Sequence, residues 1–206
     1  MGDMIEVRFH SRGGQGGATA AKILGMAAFL DGKYSASLAV YGAERRGAAV
    51  VAGTRISDSE VRRYSNLKSP DYVVILDPVL VEIADVTEGA DAKTIFLINN
   101  RGERPAALED FILYSVDATT ISLDLGLKVA GTPVLNTPML GALAKLGLVK
   151  QNSLKKAIRQ TYSEPKNIKA ADLAHERVVR VQNRRFILEE SEEFAEEVYE
   201  TIEEAV

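Results

Sequence analysis

Residues 8–17 read Arg-Phe-His-Ser-Arg-Gly-Gly-Gln-Gly-Gly, and they follow on from the apolar–polar run Met4–Phe9, which reads as the first strand. Four glycines lie within five positions, and Ala18–Leu30 then reads as a helix with Ala18, Ala21, Leu24, Ala27 and Ala28 on one stripe. Strand, glycine turn and helix in that order turn backbone N–H groups and a helix N-terminus toward an anion. Glycine permits φ > 0 there and removes the Cβ from the path of an approaching group. A phosphate-bearing ligand or a tightly packed backbone is the expected neighbour.

A dinucleotide site fits this stretch poorly. The G-x-G-x-x-G spacing aligns Gly14, Gly16 and then Thr19, so the third glycine is missing. No carboxylate stands in Ser35–Val40, where the ribose-binding acid belongs. A tight βα turn with no ligand is the alternative reading of the glycines.

Working outward, Tyr34–Val40 reads as a second strand, and Ala48–Ile56 with Val61–Tyr64 reads as a hairpin about Ser57-Asp58-Ser59. Tyr72–Leu76, Thr94–Ile98 and Ile112–Val116 are continuous apolar runs, each followed by a polar residue. Such runs fit buried parallel strands. The expected fold is therefore α/β, three-layer α/β/α, with a mixed, mostly parallel sheet containing a hairpin, followed by C-terminal helices. Asp117, Asn136 and Ser153 read as helix caps, with Pro138 early in the second of these helices. Residues 1–185 read as one domain. Residues 186–206 read as an acidic amphipathic helical tail, with nine glutamates between 189 and 206 and Phe194, Val198 and Ile202 on one face.

Composition narrows the chemistry. The chain has 206 residues, 46% of them apolar, and a net charge of −4. Neither a nucleic-acid surface nor a membrane span is expected. No secretory signal pattern opens the chain, so a cytoplasmic location is expected. There is no cysteine, which excludes disulfides, thiolate nucleophiles and cysteine-held iron–sulfur clusters. With only His10 and His175 as histidines, a protein-held zinc or iron site is not expected, and both read as structural or surface groups.

Two further clusters carry chemistry. Tyr41-Gly42-Ala43-Glu44-Arg45-Arg46-Gly47 sets two arginines between glycines, and arginine forks fit phosphates and carboxylates. Asn136-Thr137-Pro138-Met139-Leu140-Gly141 brings an amide and a hydroxyl to a helix start.

Taken in order, Arg12-Gly-Gly-Gln-Gly16, Gly32-Lys-Tyr34, Tyr41–Gly47, Arg55-Ile-Ser57, Pro70-Asp-Tyr-Val-Val-Ile-Leu-Asp77 and Asn136–Gly141 resemble the gamma subunit of 2-oxoacid:ferredoxin oxidoreductases, in particular the pyruvate enzymes. The resemblance covers about residues 4–170. It implies a subunit of an enzyme that converts pyruvate and coenzyme A to acetyl-CoA and CO2 and passes electrons to ferredoxin. It implies partner alpha, beta and delta subunits that carry thiamine diphosphate and the iron–sulfur clusters. It also implies a part in coenzyme A binding, which the residue chemistry assigns to Gly14, Gln15, Gly16, Arg45, Arg46 and Asn136. No catalytic residue and no metal ligand is assigned to this chain, which is expected to be inactive alone. A ligand-free assembly subunit, or a subunit of a 2-oxoglutarate, 2-oxoisovalerate or indolepyruvate enzyme, are the alternatives.

Overall fold

The computed structural model describes residues 4–40, 48–62 and 67–183. Strand β1 (Ile5–Arg12) leads through the glycine turn into helix α1 (Gly17–Leu30), as expected. Strands β2 (Tyr34–Val40) and β3 (Ala49–Ser57) follow, then β4 (Tyr72–Ile75), the short helix α2 (Leu80–Ile83), β5 (Ile95–Asn99) and β6 (Ile112–Val116). Helix α3 (Ala118–Asp124) leads to a small hairpin, β7 (Lys128–Val129) with β8 (Thr132–Pro133). Helices α4 (Asn136–Lys145), α5 (Gln151–Thr161) and α6 (Lys166–Arg177) and strand β9 (Val179–Val181) complete the described chain. The main sheet has seven strands in the order β2-β3-β1-β4-β5-β6-β9. Strands β1, β4, β5 and β6 run parallel, while β3, β2 and β9 are added antiparallel at the two sides.

Strands β4, β5 and β6 are largely buried on both faces, which explains their apolar runs. Successive side chains alternate faces. Val74, Leu76 and Leu97 join Val7 and Phe9 of β1 in the larger core, packed against α1 and α3–α6. Val73, Ile75, Phe96, Ile98 and Leu113 face the other way, under Leu80 of α2, Val86 and Leu108. The layering is uneven: five helices cover one face, and α2 with a single 3-10 turn (Ala106–Leu108) helps cover the other.

The expected hairpin about Ser57-Asp58-Ser59 is corrected. Strand β3 is hydrogen-bonded on both sides, to β1 (Glu6 opposite Arg55) and to β2 (Tyr34 opposite Ser57). Residues 58–62 thus have no edge of β3 left to join, and residues 63 and 64 of the expected second strand lie outside the described residues. Ser57 Oγ accepts from Ser59 N at 3.2 Å, a local turn that redirects the chain without pairing it. The antiparallel hairpin is instead β2–β3.

Two caps also differ from expectation. Ser153 is the third residue of α5, not its cap. Its hydroxyl donates to Asp31 Oδ1 at 2.6 Å, and Lys150 N donates to Asp31 Oδ2 at 2.7 Å. A carboxylate at the end of α1 thus meets the start of α5 from across the fold, where local sequence could not show it. Asn136 opens α4 but does not hold the cap position, which falls to Leu135. Asp117 caps α3 as expected, accepting from Thr120 N at 2.9 Å. The tail from residue 186 lies outside the described residues.

Candidate functional site

The chain leaves β1 toward β2 and leaves β4 toward β5, so strand order reverses between these two neighbours. Ligands of open α/β sheets bind outside the carboxyl ends of the strands at such a reversal. Here the first strand ends in Arg12 and leads into the glycine turn, and the second is followed by Leu76 and Asp77.

The turn is locked at this point. Gln15 N donates to Arg12 O at 3.0 Å, and Gly13 N to Ala48 O at 2.9 Å. The Gln15 side chain closes the loop twice: its Oε1 accepts from Arg12 N at 2.7 Å, and its Nε2 donates to Asp77 Oδ2 at 2.8 Å. Arg12 Nε lies 2.8 Å from the same oxygen, as an ion pair rather than an aligned hydrogen bond. The other oxygen, Oδ1, accepts from Val79 N at 3.1 Å. Asp77 therefore ties β4 to the turn after β1, and Arg12 offsets its charge. Sequence reading marked Asp77 only as a strand end. Its place in the Pro70–Asp77 string was the available signal.

Gly14 and Gly16 both have left-handed φ, +93° and +85°. Their surroundings differ. A Cβ at Gly14 would meet nothing within 4 Å, whereas one at Gly16 would sit 2.6 Å from Asn136 Nδ2. Asn136 is buried. Its Nδ2 donates to Tyr162 OH at 2.8 Å and to Gly16 O at 3.5 Å, and its Oδ1 accepts from Thr137 N at 2.8 Å. The starts of α1 and α4 thus meet at one amide side chain, and the first-turn N–H groups of a helix lack intrahelical partners. The fold brings Gly14, Gln15, Gly16 and Asn136 together. Arg45 and Arg46 lie outside the described residues. Tyr162 was not anticipated, because it arrives from the end of α5.

Along β1, the face that carries Arg12 also carries Glu6, Arg8 and His10, all buried. Glu6 Oε1 accepts from Arg55 Nε at 2.8 Å, and Arg8 Nη2 donates to Val86 O at 2.9 Å. Burial, and then the neighbouring Arg8 charge, lower the His10 pKa to about 4. His10 is therefore a neutral core group at pH 7. Among the described residues, no group of three or more His, Cys, Asp or Glu is placed to hold a metal ion, and no helix is long and apolar enough to cross a membrane.

Fold and site define an open α/β domain that presents a locked glycine turn at its strand-order reversal. The family described as pyruvate ferredoxin/flavodoxin oxidoreductase matches residues 6–177, and the chain belongs to that family. It is 45% identical over 183 residues to the pyruvate synthase subunit PorC of Methanothermobacter thermautotrophicus, covering 87% of this chain and 98% of the relative. It is 46% identical over 183 residues to the common gamma subunit of the pyruvate/ketoisovalerate oxidoreductases of Pyrococcus furiosus, covering 84% and 97% of the two chains. The crystal structure of the pyruvate oxidoreductase subunit PORC of Thermotoga maritima superposes with a TM-score of 0.75 at 30% identity, covering 87% of this chain and 99% of that one. The chain is a gamma-type subunit of a pyruvate synthase-class oxidoreductase.

Proposed function

We propose that this subunit contributes to coenzyme A binding and to assembly in a pyruvate:ferredoxin oxidoreductase. The observation that carries this reading is the crevice between β1 and β4. There two left-handed glycines, the α1 start and the α4 start converge beside the half-exposed Arg12. Coenzyme A brings a diphosphate and a 3′-phosphate, which need backbone amides and cations. Gly14, Gln15, Gly16 and Asn136 supply the amide side of that chemistry, and Arg12 supplies a cation. Arg45 and Arg46, placed by sequence just before β3, would supply two more. When bound, coenzyme A provides the thiol that accepts the acyl group. This chain's residues hold and orient its phosphates.

In this reading thiamine diphosphate and the iron–sulfur clusters belong to the alpha, beta and delta subunits, and electrons leave to ferredoxin. A chain without cysteine has no thiolate to give a cluster. Residues 1–185 form the working domain, with 186–206 as a separate acidic segment, and the complex resides in the cytoplasm. A second reading has its own observation: the space of a Gly16 Cβ is already taken by Asn136, so the turn could serve packing and assembly alone.

Replacing Arg45 and Arg46 together by Ala in the assembled enzyme separates the two. Loss of charge-assisted contacts worth about 1.5–3 kcal/mol each raises the KM for coenzyme A at least tenfold and leaves that for pyruvate near its wild-type value. An unchanged KM for coenzyme A in an intact complex defeats the ligand role of the pair.

A further inference from the structure

A second cavity, of about 270 Å³, opens at the carboxyl ends of β5 and β6. Its polar lining comes from Asn100 and Arg101 after β5, Ser115 and Asp117 at the end of β6, Thr120 in α3, and Arg177 at the end of α6. The loop that carries Arg101 is firmly built. Buried Ser115 donates to Asn100 O at 2.9 Å, Gly102 N donates to Asn100 Oδ1 at 3.0 Å, and Asn100 Nδ2 donates to Glu103 O at 2.7 Å.

Among the described residues, the cavity has an uncompensated positive charge. Arg101 Nε lies 3.0 Å from Asp117 Oδ2, and Thr120 N donates to Asp117 Oδ1 at 2.9 Å. Burial acts to raise the Asp117 carboxyl, but the hydrogen bonds from Thr120 and Arg101 outweigh it and hold the group below its ordinary value. Asp117 thus stays ionised, and Arg101 cancels it. Arg177 has no carboxylate partner among the described residues. Thr120 Oγ1 accepts from Arg101 Nη2 at 3.4 Å, and its own hydrogen is engaged by Asp117. One guanidinium with no carboxylate partner among the described residues and the remaining donors of a second make a donor set for a tetrahedral anion.

We infer that this cavity binds a phosphate group. Its volume suits one phosphate with part of a sugar rather than a whole cofactor. Two sources carry that chemistry. One is the 3′-phosphate end of the coenzyme A proposed above, and only this source rests on that reading. The other is a separate phosphorylated small molecule.

The test uses inorganic phosphate as the probe on the isotope-labelled full chain, followed by nuclear magnetic resonance. Saturable shifts at the Asn100, Gly102 and Thr120 amides are expected. Arg177→Ala should weaken them at least tenfold, while Arg177→Lys, which keeps the charge, should recover part of the affinity. No saturable shift at these amides in the wild type overturns the proposal, and so does affinity that Arg177→Ala leaves intact. The assembled enzyme then distinguishes the sources. If the 3′-phosphate sits here, wild type prefers coenzyme A over 3′-dephospho-coenzyme A, and Arg177→Ala removes that preference. If a separate ligand sits here, Arg177→Ala loses phosphate binding with the preference unaltered. Failure of the coenzyme A reading shows instead in the glycine and Arg45/Arg46 variants, so either idea can fall alone.

Discussion

Gly14→Ala and Gly16→Ala set a ligand role for the turn against a packing role, because the two positions differ in what a methyl group would meet. Both have left-handed φ, so each alanine brings strain of about 1–2 kcal/mol. At Gly14 that is the whole structural cost, since nothing lies within 4 Å of the new carbon. At Gly16 the methyl falls 2.6 Å from Asn136 Nδ2. Asn136 must then move and weaken its bonds to Tyr162 and Gly16, adding about 1–2 kcal/mol. Gly16→Ala therefore costs roughly 2–4 kcal/mol and Gly14→Ala roughly 1–2 kcal/mol. At about 2–4 °C per kcal/mol, the expected falls in Tm are roughly 4–16 °C and roughly 2–8 °C. Marginal stability of about 5–15 kcal/mol absorbs either cost. Thermal unfolding of the full chain checks these values, and steady-state kinetics of the assembled enzyme gives the functional arm. If coenzyme A phosphates approach the turn, the Gly14 methyl stands in their way, and Gly14→Ala raises the KM for coenzyme A at least tenfold despite its smaller structural cost. A Gly14→Ala complex with wild-type KM for coenzyme A would refute the reasoning and leave the turn as a chain reversal.

Two further outcomes follow from the buried face of β1. Arg55→Met removes the hydrogen-bonded partner of buried Glu6 and leaves only the more distant Arg8 charge to offset it, a loss of about 3–5 kcal/mol in urea unfolding. A loss below about 1 kcal/mol would put the pair in the range of exposed ion pairs. His10 titrates near 4 when folded and near 6.5 when unfolded. The unfolded chain binds more protons between these values, so stability is full above about pH 6.5 and falls by about 3 kcal/mol as pH drops toward 4. His10→Gln should remove most of that slope, and a slope that survives the substitution assigns it to other groups.

Much of the architecture was legible because it rests on local, repeated patterns. Helix α1 matches its expected span almost to the residue, β1 runs three residues past the expected end at Phe9, and the unbroken runs at β4, β5 and β6 report burial on both faces. The misreadings share one cause: their partners are distant in sequence. Strand β3 takes its place from β1, some 49 positions earlier in the Glu6–Arg55 register. The α5 start is met by Asp31, 119 positions before Lys150. Asn136 was chosen as a cap, yet its side chain reaches Gly16, 120 positions away, and Tyr162. The site followed the same rule. Glycines and polar strand ends announce themselves, whereas the Gln15–Asp77 lock depends on β1 and β4 being neighbours, which pattern alone does not fix.

Charge compensation along the carboxyl edge reconciles a net charge of −4 with the anionic ligands proposed above. The parallel strands β4 and β6 are each followed by an aspartate, Asp77 and Asp117, and each has its own arginine, Arg12 and Arg101. Between them Asn99 donates to Leu76 O at 2.9 Å and to Thr119 Oγ1 at 3.0 Å, joining β4, β5 and α3 without adding charge. These two carboxylates also accept backbone N–H groups, from Val79 and Thr120. Their negative charge is thus spent inside the edge rather than projected from it. What remains for a ligand is set by the left-handed glycines, the helix starts, the Arg12 donors that Asp77 does not take and, among the described residues, Arg177. Net charge describes the whole surface, while recognition depends on the charges left unpaired at the site. Removing one compensating arginine should therefore act differently from removing a free one. Arg101→Ala would free Asp117 to repel an anion as well as lose a donor, so it should weaken phosphate binding at the β5–β6 cavity at least as much as Arg177→Ala does.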